Sequence, residues 1–423
     1  MLKRALLALF LSIALRGVSQ ADPLQYNGSL TLNQAVARAR DAGFEVRLSQ
    51  ADTESAQAQA KSARAQIAPQ IGVAGTVLKA DLAQLGMPVA RQTYFSANAV
   101  VPIFAPSQWF AARAAGIAER GSEISVSEAR NDAVYAVIQI YYRAQLARAL
   151  VGARVVGVQA QQSHLSNTEL RAALGKSARY LVARDRAALA LAQQELEDAS
   201  AQSDQALNDL KAALNYDMSS KLDLADTLGV TPFSVTQSEA LLRAQELRPA
   251  VLAARHQMEA AQLRVRASQA QFMPTIMGSV QTYSGSSSPA LGATGYQVGV
   301  TANLPIIDGG TRSAAVAQAL ADVHRTQTFY EELRLFAQRD VLNAFRELRA
   351  ASTNLNSARA VQIDARAQLR VAKLREASGK GINLEVLDAL TVDANARESI
   401  LSAITRYDNA VAAVRHATGE LSI

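Results

Sequence analysis

Few residues in this chain have the types and spacing that chemistry needs. Glu385 and Asp388 stand three apart, which puts both carboxylates on one face of a helix, either as solvated surface or as part of an acidic site. Gly175-Lys176-Ser177 ends like a phosphate-binding loop, but position 170 is Leu where that loop needs Gly and no strand leads into it, so it reads as a helix turn. His164, His256, His324 and His416 show no metal-ligand spacing and read as solvated or interhelical. No Ser/His/Asp set or nucleophile elbow points to an enzyme, and no residue pattern calls for a cofactor or metal.

The elements that must position these residues carry more information. Tyr296, Val298, Val300, Ala302 and Leu304 alternate with Gln297, Gly299, Thr301 and Asn303, which predicts a strand with one apolar and one polar face. Ile276, Gly278, Val280 and Thr282 repeat the rhythm more weakly, and the Ser/Gly/Pro-rich segment 284–295 between them reads as an exposed turn. Earlier, Ile71, Val73 and Val77 share one side of a first strand. Phe95, Ala97, Ala99 and Val101 alternate with Tyr94, Ser96 and Asn98 in a second, which Pro102 is expected to end. Each strand has about ten residues, roughly what a tilted strand needs to cross a bilayer, although a soluble hairpin has the same pattern.

Helical patterns fill most of the remainder. One begins with Thr31 or Asn33 as N-cap and is expected to run unbroken to Ala68-Pro69. Segments 106–174 and 312–378 are nearly free of proline; about 68 residues would make a helix roughly 100 Å long. Gly175 and Gly379 then allow tight reversals into return helices of about 37 residues. Along the last of these, Ile400, Ala403, Tyr407, Ala410 and Val414 form one apolar seam. Leu387, Leu390, Ala394, Leu401, Ile404 and Val411 form a second, so two helical neighbours are expected.

The order of elements occurs twice. Pro69 answers Pro274, Val101-Pro102-Ile103 answers Leu304-Pro305-Ile306, and Leu174-Gly175-Lys176 answers Ser378-Gly379-Lys380. The offset stays near about 204 residues, the signature of an internal duplication. The expected division is a signal peptide at 1–21, a first repeat at 22–215, a linker at 216–237 and a second repeat at 238–423. The leader reads from basic Lys3-Arg4, apolar Ala5–Leu15 and the small-x-small site Ser19-Gln20-Ala21.

Composition fits this outline. Hydrophobic residues make up 49% of the 423 and aromatics only 5%, with much of the apolar content in alanine, which suits long helices packed closely. The absence of cysteine excludes disulfides, thiolate metal sites and a cysteine-borne lipid anchor. The net charge of +6 falls to about +3 without the leader, and no basic run interleaves with aromatics, so nucleic acid is not an expected partner. No apolar run approaches the length of a transmembrane helix, so a membrane span must be a barrel. Four strands cannot close one, and an open sheet leaves unpaired edge groups in lipid. Three copies would give about twelve strands over about twelve helices, with the polar strand faces lining a lumen.

At the second exit, Leu304-Pro305-Ile-Ile-Asp308-Gly309-Gly310-Thr-Arg resembles the strand-to-helix motif of the TolC-like outer-membrane efflux proteins. Ser378-Gly379-Lys380-Gly-Ile-Asn-Leu-Glu385-Val-Leu-Asp388 resembles that family's second tip, where acids ring a closed pore entrance. The resemblance covers essentially the whole chain after the leader. It implies a mainly helical homotrimer with a small β part: a 12-stranded outer-membrane β-barrel, four strands per chain, on an antiparallel coiled-coil tunnel through the periplasm. An inner-membrane transporter and a periplasmic adaptor would be its partners, beside outer-membrane lipid. Glu385 and Asp388, with Gly175, Lys176, Gly379 and Lys380, would then mark the constriction, and symmetry would make about six carboxylates of the acid pair.

Four features depart from the family pattern. The first exit, Val101-Pro102-Ile-Phe-Ala-Pro, lacks the Gly-Gly pair, and the first tip has no acid before Asp185. Gly381 stands where an arginine can sit in the type protein, which bears on an ionic lock. No lipobox cysteine is present. Two other readings stand beside this one: a periplasmic adaptor, which also joins helical hairpins to β-structure, and a structural coiled-coil protein without a barrel. Trp109, Phe110, Phe104 and Tyr94 fall where strands meet helices, as an interfacial aromatic girdle or as plain packing.

Overall fold

A computed structural model describes residues 24–80, 90–286 and 294–422; the expected leader and the middles of both strand-connecting loops lie outside the described residues. The first half opens with strand β1 (Gly28–Leu30) and helices α1 (Leu32–Ala42) and α2 (Phe44–Ala65). Strands β2 (Gln70–Ala80) and β3 (Ala90–Phe104) follow, then helices α3 (Pro106–Ala173) and α4 (Arg179–Ala213). After β4 (Leu222–Leu224), the second half repeats the plan with α5 (Gln237–Glu246), α6 (Pro249–Gln269), β5 (Thr275–Ser286), β6 (Thr294–Asn303), α7 (Thr311–Ala377) and α8 (Asn383–Ala417). The two long helices have 68 and 67 residues.

Local chemistry explains the starts and one unexpected stop. Thr31 caps α1 in a capping box with Gln34, and Thr236 accepts from the Glu239 amide to cap α5. The first helical pattern does not run unbroken, because Gly43 separates α1 from α2 in an extended conformation (φ −58°, ψ 140°). A Cβ there would lie 2.6 Å from the Ala39 carbonyl oxygen and 3.5 Å from the Ala133 Cβ, so the kink brings the backbone tight against α3. Nor does Pro102 end its strand. β3 continues to Phe104, with a register shift between Pro102 and Phe104. Its neighbour β2 begins at Gln70 opposite Val100, so on that side Pro102 has no ladder partner to disappoint.

The long helices pack through small residues. Ala337, Ala344, Ala351, Ala358, Ala365 and Ala372 on α7 are buried at intervals of seven, as are Ala389, Ala396, Ala403, Ala410 and Ala417 on α8. Ala358 shares a cluster with Ala403, and Ala372 with Ala389, so the two seams meet antiparallel. A strict heptad of alanine sets two helices close together in a left-handed coil. α8 packs against both α7 and α3, in keeping with its two expected seams.

Midway along the bundle, the inter-repeat linker is built in. β1 and β4 pair in parallel, two three-residue strands that the sequence reading did not anticipate. Asp226 Oδ2 accepts from the Leu32 amide at 2.6 Å and from the Tyr141 hydroxyl at 2.9 Å, and that hydroxyl also reaches the Leu30 carbonyl. Tyr141 is fully buried in the largest core cluster, with Leu30, Val134, Leu210 and Leu224. A polar belt joins the repeats just before the middle of α3. Arg248 bridges Glu128 on α3 (3.3 Å) and Asp340 on α7 (2.9 Å), while His416 bonds Asp132 at 2.6 Å and stacks on Tyr135. Burial pushes the Glu128 carboxyl above its ordinary range, against the pull of Arg248.

Candidate functional site

The four long strands form one antiparallel sheet in the order β2-β3-β5-β6. Its register lines up Ile71, Ala99, Val280 and Val298 across all four strands, and Val73, Ala97, Thr282 and Tyr296 in the next row on that face. The other face carries Gly72, Asn98, Gln281 and Gln297 in register. A Cβ at Gly72 would lie 2.8 Å from Asn98 Oδ1, because the amide lies across the glycine. The apolar face is bare: Ile71 is 79% exposed, Val73 78%, Val298 67% and Tyr296 80%. An apolar surface of this extent has a covering partner in water, or lipid instead of water.

The edges are open as well. β2 and β6 each pair with a single strand and run in opposite directions, so a further copy can extend the antiparallel ladder from either side. Strands of ten to fifteen residues match the hydrocarbon thickness when tilted. Among the described residues no helix is long and apolar enough to cross a membrane.

Where β6 leaves the sheet, Asp308 organises the turn into α7. Its carboxylate accepts from the Gly310 amide (3.1 Å), the Arg312 amide (3.0 Å) and Arg312 Nε (2.6 Å). Gly309 (φ 65°) and Gly310 (φ 92°) take left-handed backbone that other residues adopt only with strain. The buried Arg312 guanidinium also lies over the Phe272 ring at 4.7 Å, tying the exit from the hairpin to its entrance. Hydrogen bonds from Arg312, side chain before backbone, hold the Asp308 carboxyl below the ordinary carboxylate range. Pro305 lies in the exposed connection, beside Ile306 and Ile307 at 85% and 91% exposure. The first exit uses another device: Pro106 opens α3 directly, and Phe104 meets Trp109 edge to face at 5.5 Å. The side chain of Tyr94 lies outside the described residues.

At the far ends of the long helices the two turns match. Gly175 and Gly379 both have φ 70°. Gly175 donates to Ala172 and Lys176 to Arg171, as Gly379 donates to Glu376 and Lys380 to Arg375, the paired bonds of a Schellman turn. Gly175-Lys176-Ser177 is thus a helix terminus. Lys176 and Lys380 are exposed on the turns.

The acid pair is divided. Glu385 is bridged by Arg375 Nε at 3.3 Å, whereas Asp388 is exposed one turn further along α8. A Cβ at Gly381 would meet the Arg375 Cβ at 2.9 Å and its carbonyl carbon at 3.0 Å. An arginine at 381 does not fit this backbone, and Arg375 brings its guanidinium to Glu385 from the preceding helix. His164, expected to be solvated or interhelical, is interhelical, but its partners carry no local mark in the sequence. His164, Thr168 and Asp185 of the first hairpin are buried around Asn383, the first residue of α8. The Asn383 amide and these three partners lie some two hundred positions apart in the chain.

Comparison with known proteins bears on the whole arrangement. A model of the outer membrane efflux protein family matches this chain twice, over residues 32–216 and 240–420. Protein CyaE of Bordetella pertussis is 30% identical over 230 residues, which span 52% of this chain and 48% of CyaE. The CmeC outer membrane channel of Campylobacter jejuni is similar in structure with a TM-score of 0.80, at 18% identity, over 96% of this chain and 90% of CmeC. For the outer membrane protein VceC of Vibrio cholerae the TM-score is 0.79, at 20% identity, over 92% and 96%. The two family matches cover both halves from the first capped helix to the end of the last, and the chain belongs to the outer membrane efflux protein family.

Proposed function

We propose that three copies of this chain form a channel-tunnel in the outer membrane that exports substrates passively, received from an inner-membrane transporter through a periplasmic adaptor. The observation that carries the reading is the sheet, with one apolar face, one polar face and two unpaired edges. Three such sheets give about twelve strands, enough to close a barrel and to satisfy every edge in lipid. The apolar rows then meet lipid, and the row of Gly72, Asn98, Gln281 and Gln297 meets the lumen. Pro305, Asp308, Gly309 and Gly310 turn the second hairpin into its tunnel helix, and Pro106, just beyond the strand that holds Pro102, opens the first. The driving energy enters with the transporter.

The tips are the constriction in this reading. Symmetry multiplies Asp388 and Glu385 into a ring of about six carboxylates at a narrow mouth, which favours cations. Because Arg375 sits against Glu385, Asp388 carries most of the ring's effective charge. Single-channel recording in planar bilayers tests this. Asp388→Asn lowers cation preference more than Glu385→Gln does. Unchanged selectivity in the double variant removes the ring from the account.

A further inference from the structure

We propose that His164 is a proton-operated release for the contact between the two hairpin tips, an inference that rests on the tips being the constriction. The contact is a buried polar cluster that joins the repeats. Asn383 Nδ2 lies 2.8 Å from His164 Nε2, 3.2 Å from Thr168 Oγ1 and 3.0 Å from Asp185 Oδ2. Arg184 Nη2 donates to Asn383 Oδ1. His164, Thr168 and Asp185 are 5%, 2% and 1% exposed. All four partners of Asn383 belong to the first hairpin, so this one amide fastens the start of α8 to α3 and α4.

The neighbours fix the chemistry. Arg184 can only donate and the Asp185 carboxylate can only accept, so the amide oxygen must face the former and the amide nitrogen the latter. With the nitrogen donating, His164 Nε2 has to accept, which requires a neutral ring carrying its proton on Nδ1. A second proton on the imidazole would place N–H against N–H and break the bond to Asn383. The protonated ring has a better partner close by: Asp185 Oδ2, 3.6 Å from Nε2, with a second oxygen, Oδ1, that has no hydrogen-bond partner among the described residues. Protonation therefore turns one bond between repeats into an ion pair within the first repeat, which also competes with Asn383 for Asp185 Oδ2 and so loosens the joint.

Histidine is the side chain that ordinarily changes charge between about pH 5 and about pH 8. The charges flanking the cluster on the packed helices are paired elsewhere. Arg171 of α3 pairs with Glu376 of α7 at 3.5 Å, Glu169 of α3 with Arg186 of α4 at 2.8 Å, and Arg375 of α7 with Glu385 of α8 at 3.3 Å. Arg184, which bonds Asn383, brings positive charge to the cluster, and its Nε lies 3.9 Å from Asp185 Oδ1.

The chain has no cysteine, so spin labels on Lys176→Cys and Lys380→Cys report the distance between the tips of one protomer when labelled chains are diluted with unlabelled ones. On acidification the distance distribution should broaden and lengthen in the native background. In His164→Gln, whose amide still accepts from Asn383 but takes up no proton, it should stay as at the higher pH. Asn383→Ala, which removes all four contacts, should be at least as broad as the acid distribution at every pH. A native distribution that ignores pH, a His164→Gln variant that follows pH as the native protein does, or an Asn383→Ala variant that is native-like at the higher pH each overturns the proposal. The distance is read whether or not the assembly conducts; failure of conductance alone would count against the channel reading and leave the release intact.

Discussion

Adjacent residues on β6 give a sharp test of which face of the sheet meets lipid. Val298 is the fifth residue of the ten-residue strand, pairs with Val280, and is 67% exposed on the apolar face; Gln297 points to the other side. An arginine at the bilayer midplane of a barrel costs about 2–4 kcal/mol, and three copies raise this to about 6–12 kcal/mol per trimer. Ordinary protein stabilities are about 5–15 kcal/mol, so Val298→Arg should prevent most of the assembly from folding into vesicles. Gln297→Arg puts the same side chain into an aqueous lumen, where a surface substitution changes stability by about 0.5 kcal/mol or less. The assay is urea-dependent folding into phospholipid vesicles, followed by the migration of unheated protein on gels. Equal losses in the two variants, or a Val298→Arg variant that folds normally, would refute the assignment of faces.

Two further outcomes concern the joints. Arg248→Ala leaves the mostly buried Glu128 without its arginine, while Asp340 keeps Arg339 at 2.7 Å; with the Arg248 and Glu128 side chains only 12% and 16% exposed, the loss should be about 3 kcal/mol. Arg64→Ala removes an ion pair whose arginine is 54% exposed and should cost about 1 kcal/mol or less, a contrast that thermal unfolding in detergent measures. Asp308 is held below its ordinary range by Arg312, so its stabilisation is present above the unfolded value of about 4 and fades as pH falls through the lower native value. Melting temperatures across the acid range should therefore drop less for Asp308→Asn than for the native chain, and identical acid limbs would contradict this.

Much of this architecture is legible in the sequence because its signals are local. Period-two alternation marks the strand hairpins, and glycines after uninterrupted helical runs mark Gly175 and Gly379. What stayed hidden depends on distance or on weak chemistry. The paired strands β1 and β4 have three residues each and lie 194 positions apart, too short and too remote to announce themselves. The Gly43 kink lies inside a continuous helical pattern and is set by the approach of α3. The alanine heptads of α7 and α8 are plainly spaced by seven, yet alanine barely registers among larger apolar residues. Pro102 looked like a stop because sequence does not tell where the neighbouring strand begins. At the tips, the glycine turns were readable, but the Arg375–Glu385 bridge crosses a turn and the Asn383 cluster joins separate repeats.

The most direct test of a trimeric membrane duct is fractionation of the producing cell, followed by electrophoresis of the outer-membrane extract without boiling. A heat-labile band near three times the monomer mass, collapsing to the monomer on heating, is the predicted result. A soluble periplasmic monomer would contradict it, because the exposed rows of Ile71, Val73, Val298 and Tyr296 would then have to be covered by something other than lipid.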